Sequence, residues 1–287
     1  MKFLTLPRAL YSHPNIKTFF YDYQSCILFK RLAHNLLNQE KVCISHCFIF
    51  VLKGYVEVQT SSGELITTCA GEILFMPRDT YLISDFVTVD NLVEMYLIFI
   101  EHDIINSFLA PKIALEKPAF SESVVCKINS SIHIEKYFTA LYGVYADFEN
   151  SRDLLKIKIT EFLHLIYANN RADILATLAS SEQHKKNRNI TNLMLENYDK
   201  NLSVADFASL SGRSLSSFNR DFKKKYGKPP KQWLIEKKMI KAAQLLANGS
   251  SVTQCAVDVG YSNISHFIKL YKSIHGKTPR EMKNINI

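Results

Sequence analysis

The chain has 287 residues, of which 47% are hydrophobic and 22% charged, and its formal net charge is +8. This is enough apolar material for ordinary globular cores, which excludes a disordered chain, and the length suits two domains. The longest apolar run, LVEMYLIFI after Asn91, is interrupted by Glu94 and too short to span a bilayer, so no membrane association is expected.

The N-terminal residues MKFLTLPRAL are too short and broken for a secretory leader, and the residues from about 17 to 125 read as strands. Phe48–Leu52 is an apolar run that Gly54 ends, and Tyr55–Gln59 alternates as a half-buried strand does. Ser61-Ser62-Gly63-Glu64 is a hairpin turn signal leading into Leu65-Ile66, and Gly71–Pro77 reads as turn, strand and stop. Tyr96–Ile100 is a further β-rich run. Short strands spaced by Gly and Pro turns predict a small barrel or sandwich.

Six cysteines (Cys26, Cys43, Cys47, Cys69, Cys126, Cys255) form neither a CxxC pair nor a zinc-finger spacing, and they are read as buried free thiols of a reduced, cytosolic protein. His46 and His102 stand apart, no HxH or HxxxE cluster occurs, and Glu72 has no histidine partner. Neither a Ser-His-Asp pattern nor a phosphate loop is visible. No metal, no cofactor and no catalytic residues are therefore expected, and the chain is not read as an enzyme.

From about Ser131 the period turns helical. Leu154, Leu155, Ile159, Phe162, Leu163 and Ile166 form an apolar stripe with Lys156, Lys158 and Glu161 outside it. The stripe suits either a seam between two copies or a cover for the strands. A short helix over Ala172–Leu178 follows. Residues 181–189 are polar and aperiodic and are read as a linker between a domain at 1–180 and a second at 190–287.

The second domain carries the charge. From Asn189 to Ile287 there are 16 of the 35 Lys+Arg but only 7 of the 27 Asp+Glu, a local balance of +9 that leaves −1 for the rest. A polyanionic partner follows from that asymmetry. The segment is helical and well punctuated. Ser203 opens a helix with Asp206 in its first turn, and Ser214 opens another that stops at Gly227. Pro230 starts a long helix to Ala247, Ser251 opens the next, and Ser262 or Asn263 opens a last long one that ends before Gly276. Two helix-turn-helix units result, SVADFASLSGRSLSSFNRDFKKKYG and SVTQCAVDVGYSNISHFIKLYKSIHG, about fifty residues apart. A linking helix of roughly seventeen residues spans about 25 Å, so with the units at its ends one DNA turn of about 34 Å is reachable.

In the first unit Leu215, Phe218 and Phe222 are expected in the core. Ser216, Asn219 and Arg220 are then assigned to base edges, and Lys223, Lys224 and Lys225 to phosphate. In the second unit Phe267, Leu270, Tyr271 and Ile274 are expected in the core, and Ile264, Ser265, Ile268, Lys269 and Lys272 on the groove face. Ile264 and Ile268 could meet thymine methyl groups or simply pack. The first unit is thus expected to carry more base-specific hydrogen bonding, the second more apolar and backbone contact.

These residues resemble the AraC/XylS family of bacterial transcription regulators. The long helix matches at Pro230, Trp233, Leu234, Lys238, Ala242, Leu245 and Leu246. The second unit matches from Ala256, Val259, Gly260 and Tyr261 to Gly276, Thr278 and Pro279, and the first at Phe207, Ala208, Ser214, Phe218, Arg220, Phe222, Lys223 and Gly227. Lys238 and Lys269 stand where arginine is commoner in the family, and a lysine at 269 lacks the planar fork for bidentate guanine contact. FVLKGYVEVQ, CAGEILFMPRDTYLIS and LLKIKITEFLHLIYANNRADILATLA resemble the subgroup that activates type III secretion genes. The resemblance implies an α+β chain in which a cupin-like β-barrel with flanking helices, for regulation and dimerisation, precedes an all-α DNA-binding domain. It further implies a cytoplasmic activator on double-stranded promoter DNA that touches RNA polymerase, controlled by an anti-activator protein or a small-molecule effector. A weak homodimer through Leu155, Ile159, Phe162, Leu163 and Ile166 is expected on the same ground.

Overall fold

The computed structural model describes residues 4–88, 91–115, 125–186 and 190–283, and the chain divides into two compact units, Met1–Asn187 and Arg188–Ile287. The first unit is α+β. Its strands are β1 (Leu4–Leu6), β2 (Ile16–Asp22), β3 (Ser25–Leu32), β4 (Leu36–Cys43), β5 (His46–Lys53), β6 (Tyr55–Gln59), β7 (Leu65–Cys69), β8 (Glu72–Met76), β9 (Thr80–Phe86), β10 (Val93–Ile100) and β11 (Cys126–Asn129). They form two sheets, ordered β1-β4-β9-β6-β7 and β11-β8-β5-β10-β3-β2. Hydrogen bonding among the described residues thus gives two sheets packed face to face, in keeping with the small barrel or sandwich expected from the sequence.

The six-stranded sheet is covered on both faces. Along β10, Val93, Met95, Leu97 and Phe99 enter the core between the sheets, while Tyr96, Ile98 and Ile100 enter a second core beneath helices. β5 divides likewise, with Cys47, Ile49 and Val51 on one side and Phe48 and Phe50 on the other. Burial on both faces is why these strands read as unbroken apolar runs. β6 belongs to the half-covered sheet and alternates, with Val56 and Val58 buried and Gln59 exposed. Gly54 turns β5 into β6 at φ +79°, where a Cβ would collide with the Phe86 carbonyl oxygen.

Four helices cover the outer face: α1 (His102–Ile113), α2 (Ile132–Tyr145), α3 (Arg152–Asn169) and α4 (Arg171–Lys186). Ser131 and Ser151 cap α2 and α3, their Oγ atoms accepting from the amides of Ile134 and Leu154 at 3.4 and 3.3 Å. Helix α1 lies inside the stretch expected to be all strand. Its buried Ile105, Phe108 and Leu109 have the spacing of one helical face, which β-branched residues and the internal Pro111 obscure. Helix α4 also runs to Lys186, through most of the expected linker. Glu182, Gln183, Lys185 and Lys186 favour helix without any apolar period, and no Gly or Pro stops them. Residues 187–189 of that linker lie outside the described residues.

The stripe on α3 is a cover for the sheet. Leu155, Ile159, Phe162, Leu163 and Ile166 are each at most 2% exposed and sit in the helix-side core with Phe48, Phe75 and Phe138. The dimer seam expected at these five positions is corrected accordingly: their apolar surface is already spent within one chain.

Between the sheets, Lys30 Nζ and Lys41 Nζ lie 2.5 and 3.8 Å from the same oxygen, Asp85 Oδ2, with all three side chains buried. Burial and then the neighbouring Lys30 lower Lys41 to a pKa of about 8. Burial opposes ionisation of Asp85, yet the two ammonium groups hold it below the usual carboxylate range. The residual cavity beside them is about 20 Å³, room for about one water molecule. At the sheet's margin, Asn150 pairs with the outer strand β2: its Oδ1 accepts from Tyr21 N at 2.9 Å and its Nδ2 donates to Tyr21 O at 3.1 Å.

Cys26, Cys43, Cys47 and Cys255 are buried free thiols as expected, whereas Cys126 is half-buried and Cys69, next to the β7–β8 turn, is exposed. His46 is buried and stacked on Phe75, ring centroids 5.7 Å apart. His102 at the start of α1 lies 2.6 Å from Asn106 and 3.4 Å from Arg78.

The second unit is all helical: α5 (Ile190–Asn197), α6 (Val204–Leu210), α7 (Leu215–Tyr226), α8 (Pro230–Ala247), α9 (Val252–Asp258), α10 (Ile264–His275) and α11 (Pro279–Lys283). The starts and stops follow the caps read in the sequence. Ser203 and Asp206 form a capping box, Ser203 Oγ accepting from Asp206 N at 3.2 Å and Asp206 Oδ2 from Ser203 N at 2.7 Å.

Candidate nucleic-acid interface

Helices α7 and α10 are built to one plan. Each has twelve residues and a hydroxyl or amide N-cap: Ser214 Oγ accepts from Ser217 N at 3.2 Å, and Asn263 Oδ1 from His266 N at 2.9 Å. Each stops at a left-handed glycine, Gly227 at φ +70° and Gly276 at φ +72°, as a helix C-terminus commonly does. Each follows a seven-residue helix, α6 or α9, across a short turn at Gly212 or Gly260. The 18-residue α8 joins them and is about 27 Å long at 1.5 Å per residue.

In the first unit Phe218 and Phe222 are fully buried and stack at 6.0 Å, with Trp233 of α8 edge-on to Phe222 at 5.8 Å. That anchors one side of α7 and turns Ser216, Asn219, Arg220, Lys223, Lys224 and Lys225 to solvent. The three lysines lie in the last turn, where cations also suit the helix dipole. Arg220 Nε is 3.5 Å from Asp221 Oδ1, but its side chain is 76% exposed, so solvent screens the pair and the guanidinium can reach outward. Leu215, expected in the core, is 48% exposed. As the first helical residue it has no preceding turn to pack against.

The second unit repeats this with differences. Phe267 and Tyr271 are fully buried, and Ser265, Lys269 and Lys272 face solvent. Ile264 and Ile268 are half-buried against the core formed by Met239, Ala256, Phe267 and their neighbours, so part of each side chain is taken up by packing. Leu270 is half-buried and Ile274 is 42% exposed, against the expectation that both are core. Helical spacing alone could not tell the margin of the buried face from its centre. His266 is exposed, 5.9 Å from the ring of Tyr261.

The N-terminal ends of the two helices share one opening. Leu215 and Asn219 of α7, and Asn263 and His266 of α10, line a cleft of about 840 Å³ that also touches Leu234, Ile235 and Lys238 of α8. Lys231, exposed in the first turn of α8, lines it as well and was not singled out from the sequence. Its place one turn before Ile235, beside the helix-opening Pro230, is the signal that marks it. Burial lowers Lys238 to a pKa of about 8, partly offset by Asp199. Among the described residues no group of three His, Cys, Asp or Glu side chains could hold a metal ion, and no helix is long and apolar enough to cross a membrane.

Two family models match the chain: the ExsA N-terminal regulatory domain over residues 46–178 and a helix-turn-helix domain over residues 207–285. Among individual proteins, the chain is 28% identical over 131 residues to the thermoregulatory protein LcrF of Yersinia pestis, covering 45% of this chain and 48% of LcrF. It is 28% identical over 131 residues, with the same coverage, to the virulence regulon transcriptional activator VirF of Yersinia enterocolitica. It is 27% identical over 124 residues to the transcriptional regulator ExsA of Pseudomonas aeruginosa, covering 43% and 45%. The chain thus spans about half the length of the relatives it matches. The solved structure of fatty-acid-bound ToxT from Vibrio cholerae aligns over 91% of this chain and 95% of its own, at 14% identity and a TM-score of 0.43.

Proposed function

We propose, from the premise that this chain belongs to the AraC-type regulators that join an ExsA-type N-terminal regulatory domain to a helix-turn-helix domain, that it activates transcription of virulence or type III secretion genes from double-stranded promoter DNA. The observation that carries this reading is the duplication in the second unit. Two N-capped, glycine-stopped helices turn a polar and basic side outward from the ends of one rigid helix. A structural helical module with incidental charge gives no reason for that repetition. Ser216, Asn219 and Arg220 read base edges and Lys223 and Lys224 hold phosphate, while Ser265, Lys269 and Lys272 supply the second contact, with Ile264 and Ile268 offering their remaining apolar surface to thymine methyls.

The first unit acts as the regulatory domain, and the chain works in the cytoplasm, on the nucleoid, contacting RNA polymerase as a non-enzymatic activator. Control by an anti-activator protein is favoured over a small effector held between the sheets. The space beside Lys30, Lys41 and Asp85 has room for about one water molecule, so a larger effector there would have to part the sandwich. A weak homodimer remains part of the reading, through a surface other than the buried stripe of α3. Genome-wide occupancy of the tagged chain, followed by footprinting of the purified protein on the recovered promoters, tests the whole. Two protected segments one helical turn apart are expected; equal affinity for those promoters and for scrambled duplex at moderate salt would refute it.

A further inference from the structure

We infer that Lys238 and Gly260 fix the separation and phase of the two reading helices, so that the chain selects the spacing between half-sites as well as their sequence. This rests on the reading of α7 and α10 as DNA-reading helices.

A single linking helix would leave each unit free to pivot about the short segments at its ends, 227–229 and 248–250. The structure closes that freedom with a second tie. The loop after α5, in the first helix-turn-helix unit, meets the turn before α10, in the second helix-turn-helix unit. Gly260 stands at φ +78°, and a Cβ there would lie 2.7 Å from the carbonyl oxygen of Asp199 and 2.9 Å from the carbonyl carbon of Lys200. Only a residue without a side chain brings the two backbones so close. Lys238, on α8 between them and 8% exposed, donates from Nζ to the Lys200 carbonyl at 3.1 Å and holds the same Nζ 5.3 Å from the ring centre of Tyr261. One ammonium therefore touches a carbonyl of the first helix-turn-helix unit and an aromatic face of the second. One turn along α8, Lys241 pairs with Asp199 and adds a further hold on the same loop.

The choice of residue is informative. An apolar side chain of similar length would fill the space without the cost of desolvating a charge. A lysine at that depth supplies direction: its bonds are satisfied only when the Lys200 carbonyl and the Tyr261 ring are both in register. Inserting one base pair between half-sites moves the second by about 3.4 Å and turns it by about 34°. A pair of reading heads clamped in this way cannot follow; a pair joined by α8 alone could.

Lys238 is thus a positioning residue, and its test reads geometry as well as affinity. Spin labels at Ser216→Cys and Ser265→Cys, in full-length chain with Cys69→Ser, report the distance between α7 and α10 without DNA. A narrow distribution is expected in the parent, a broad one in Lys238→Met, and a restored narrow one in Lys238→Arg, which keeps the donor. On duplexes with one base pair added or removed between the footprinted half-sites, the unlabelled parent should lose about tenfold or more in affinity and Lys238→Met less than about threefold, with Lys238→Arg again like the parent. Gly260→Ala should act in the same direction as Lys238→Met. An unchanged narrow distribution in Lys238→Met, or a spacing penalty equal to the parent's, overturns the inference. Failure of the parent to prefer any promoter defeats the DNA-reading function instead, while the distance measurement still decides whether the tie exists.

Discussion

The ring of Phe162 on α3 stands edge-on to that of Phe48 on β5, centroids 5.3 Å apart and planes at 82°. An apolar stripe on a helix is ambiguous between a partner copy and the helix's own domain, and this pair resolves it. Truncation at Phe162 should therefore act on folding. Phe162→Ala is expected to cost roughly 3–5 kcal/mol of stability in the first unit, read as a lower urea midpoint. A dimer seam would give the opposite pattern: copies that separate while each stays as stable as before.

Arg220 and Lys223 project from the same solvent side of α7 yet should fail differently when removed. Arg220→Ala should cost about 1–3 kcal/mol and relax preference at one base step. Lys223→Ala should weaken specific and random duplexes alike and lower the salt slope by about 1. Competition binding at several salt concentrations separates the two, and an equal loss on all duplexes for Arg220→Ala would remove its assigned role.

Ile268 offers a sharper division between packing and reading. It is half-buried against the core of Met239, Phe267 and Tyr271, so Ile268→Ala should cost about 1–2 kcal/mol in the second unit's stability. Thermal melting of the full chain checks this, alongside base preference at the second half-site. A melt unchanged from the parent, with altered preference for thymine, would assign Ile268 to the groove alone.

The pH dependence of the first unit follows from Lys41. Its pKa of about 8 in the folded chain lies below the ordinary lysine value of about 10.4. Between those values the unfolded chain binds more protons, so Lys41 contributes a stability that rises with pH from about 8 to 10.4. Burial raises Cys26 and Cys47, which act with the opposite sign over the alkaline range. The comparison to make is thus between the parent and Lys41→Met, whose other groups are the same. Their difference in unfolding free energy should shift in favour of the parent as pH rises through 8 to 10.4. A difference independent of pH would show Lys41 to be unperturbed beside Lys30, Asp85, Cys43 and Cys47.

Legibility in the sequence followed local chemistry. Helices α6 to α11 were readable because each begins at a hydroxyl, amide or proline and several stop at a glycine, signals that need no knowledge of what lies opposite. Ser203 with Asp206, and Ser214 with Gly227, are such cases. The strands β5 and β10 were visible as apolar runs, but the runs hid which face met which core. Helix α1 was missed because Pro111 and the β-branched Ile104, Ile105 and Ile113 weaken its helical signal, which rests on the spacing of Ile105, Phe108 and Leu109. The fate of the α3 stripe, the exposure of Leu215 and Ile274, and the meeting of Asp199 with Gly260 all depend on residues distant in sequence, where no local pattern reaches. Lys238 could be seen to stand in place of a commoner arginine, but not that it touches both helix-turn-helix units.

The amide of Asn150, laid against Tyr21 on the outer strand β2, has a consequence beyond its own two bonds. An open margin of a sheet invites a foreign strand to dock in register and extend it, the first event in many fibres. Here a side chain occupies that berth, and Lys17 and Arg152 add ion pairs with Asp147 and Asp22 along the same border. An intruding strand would have to displace the Asn150 amide and both ion pairs before it could extend the sheet on that side.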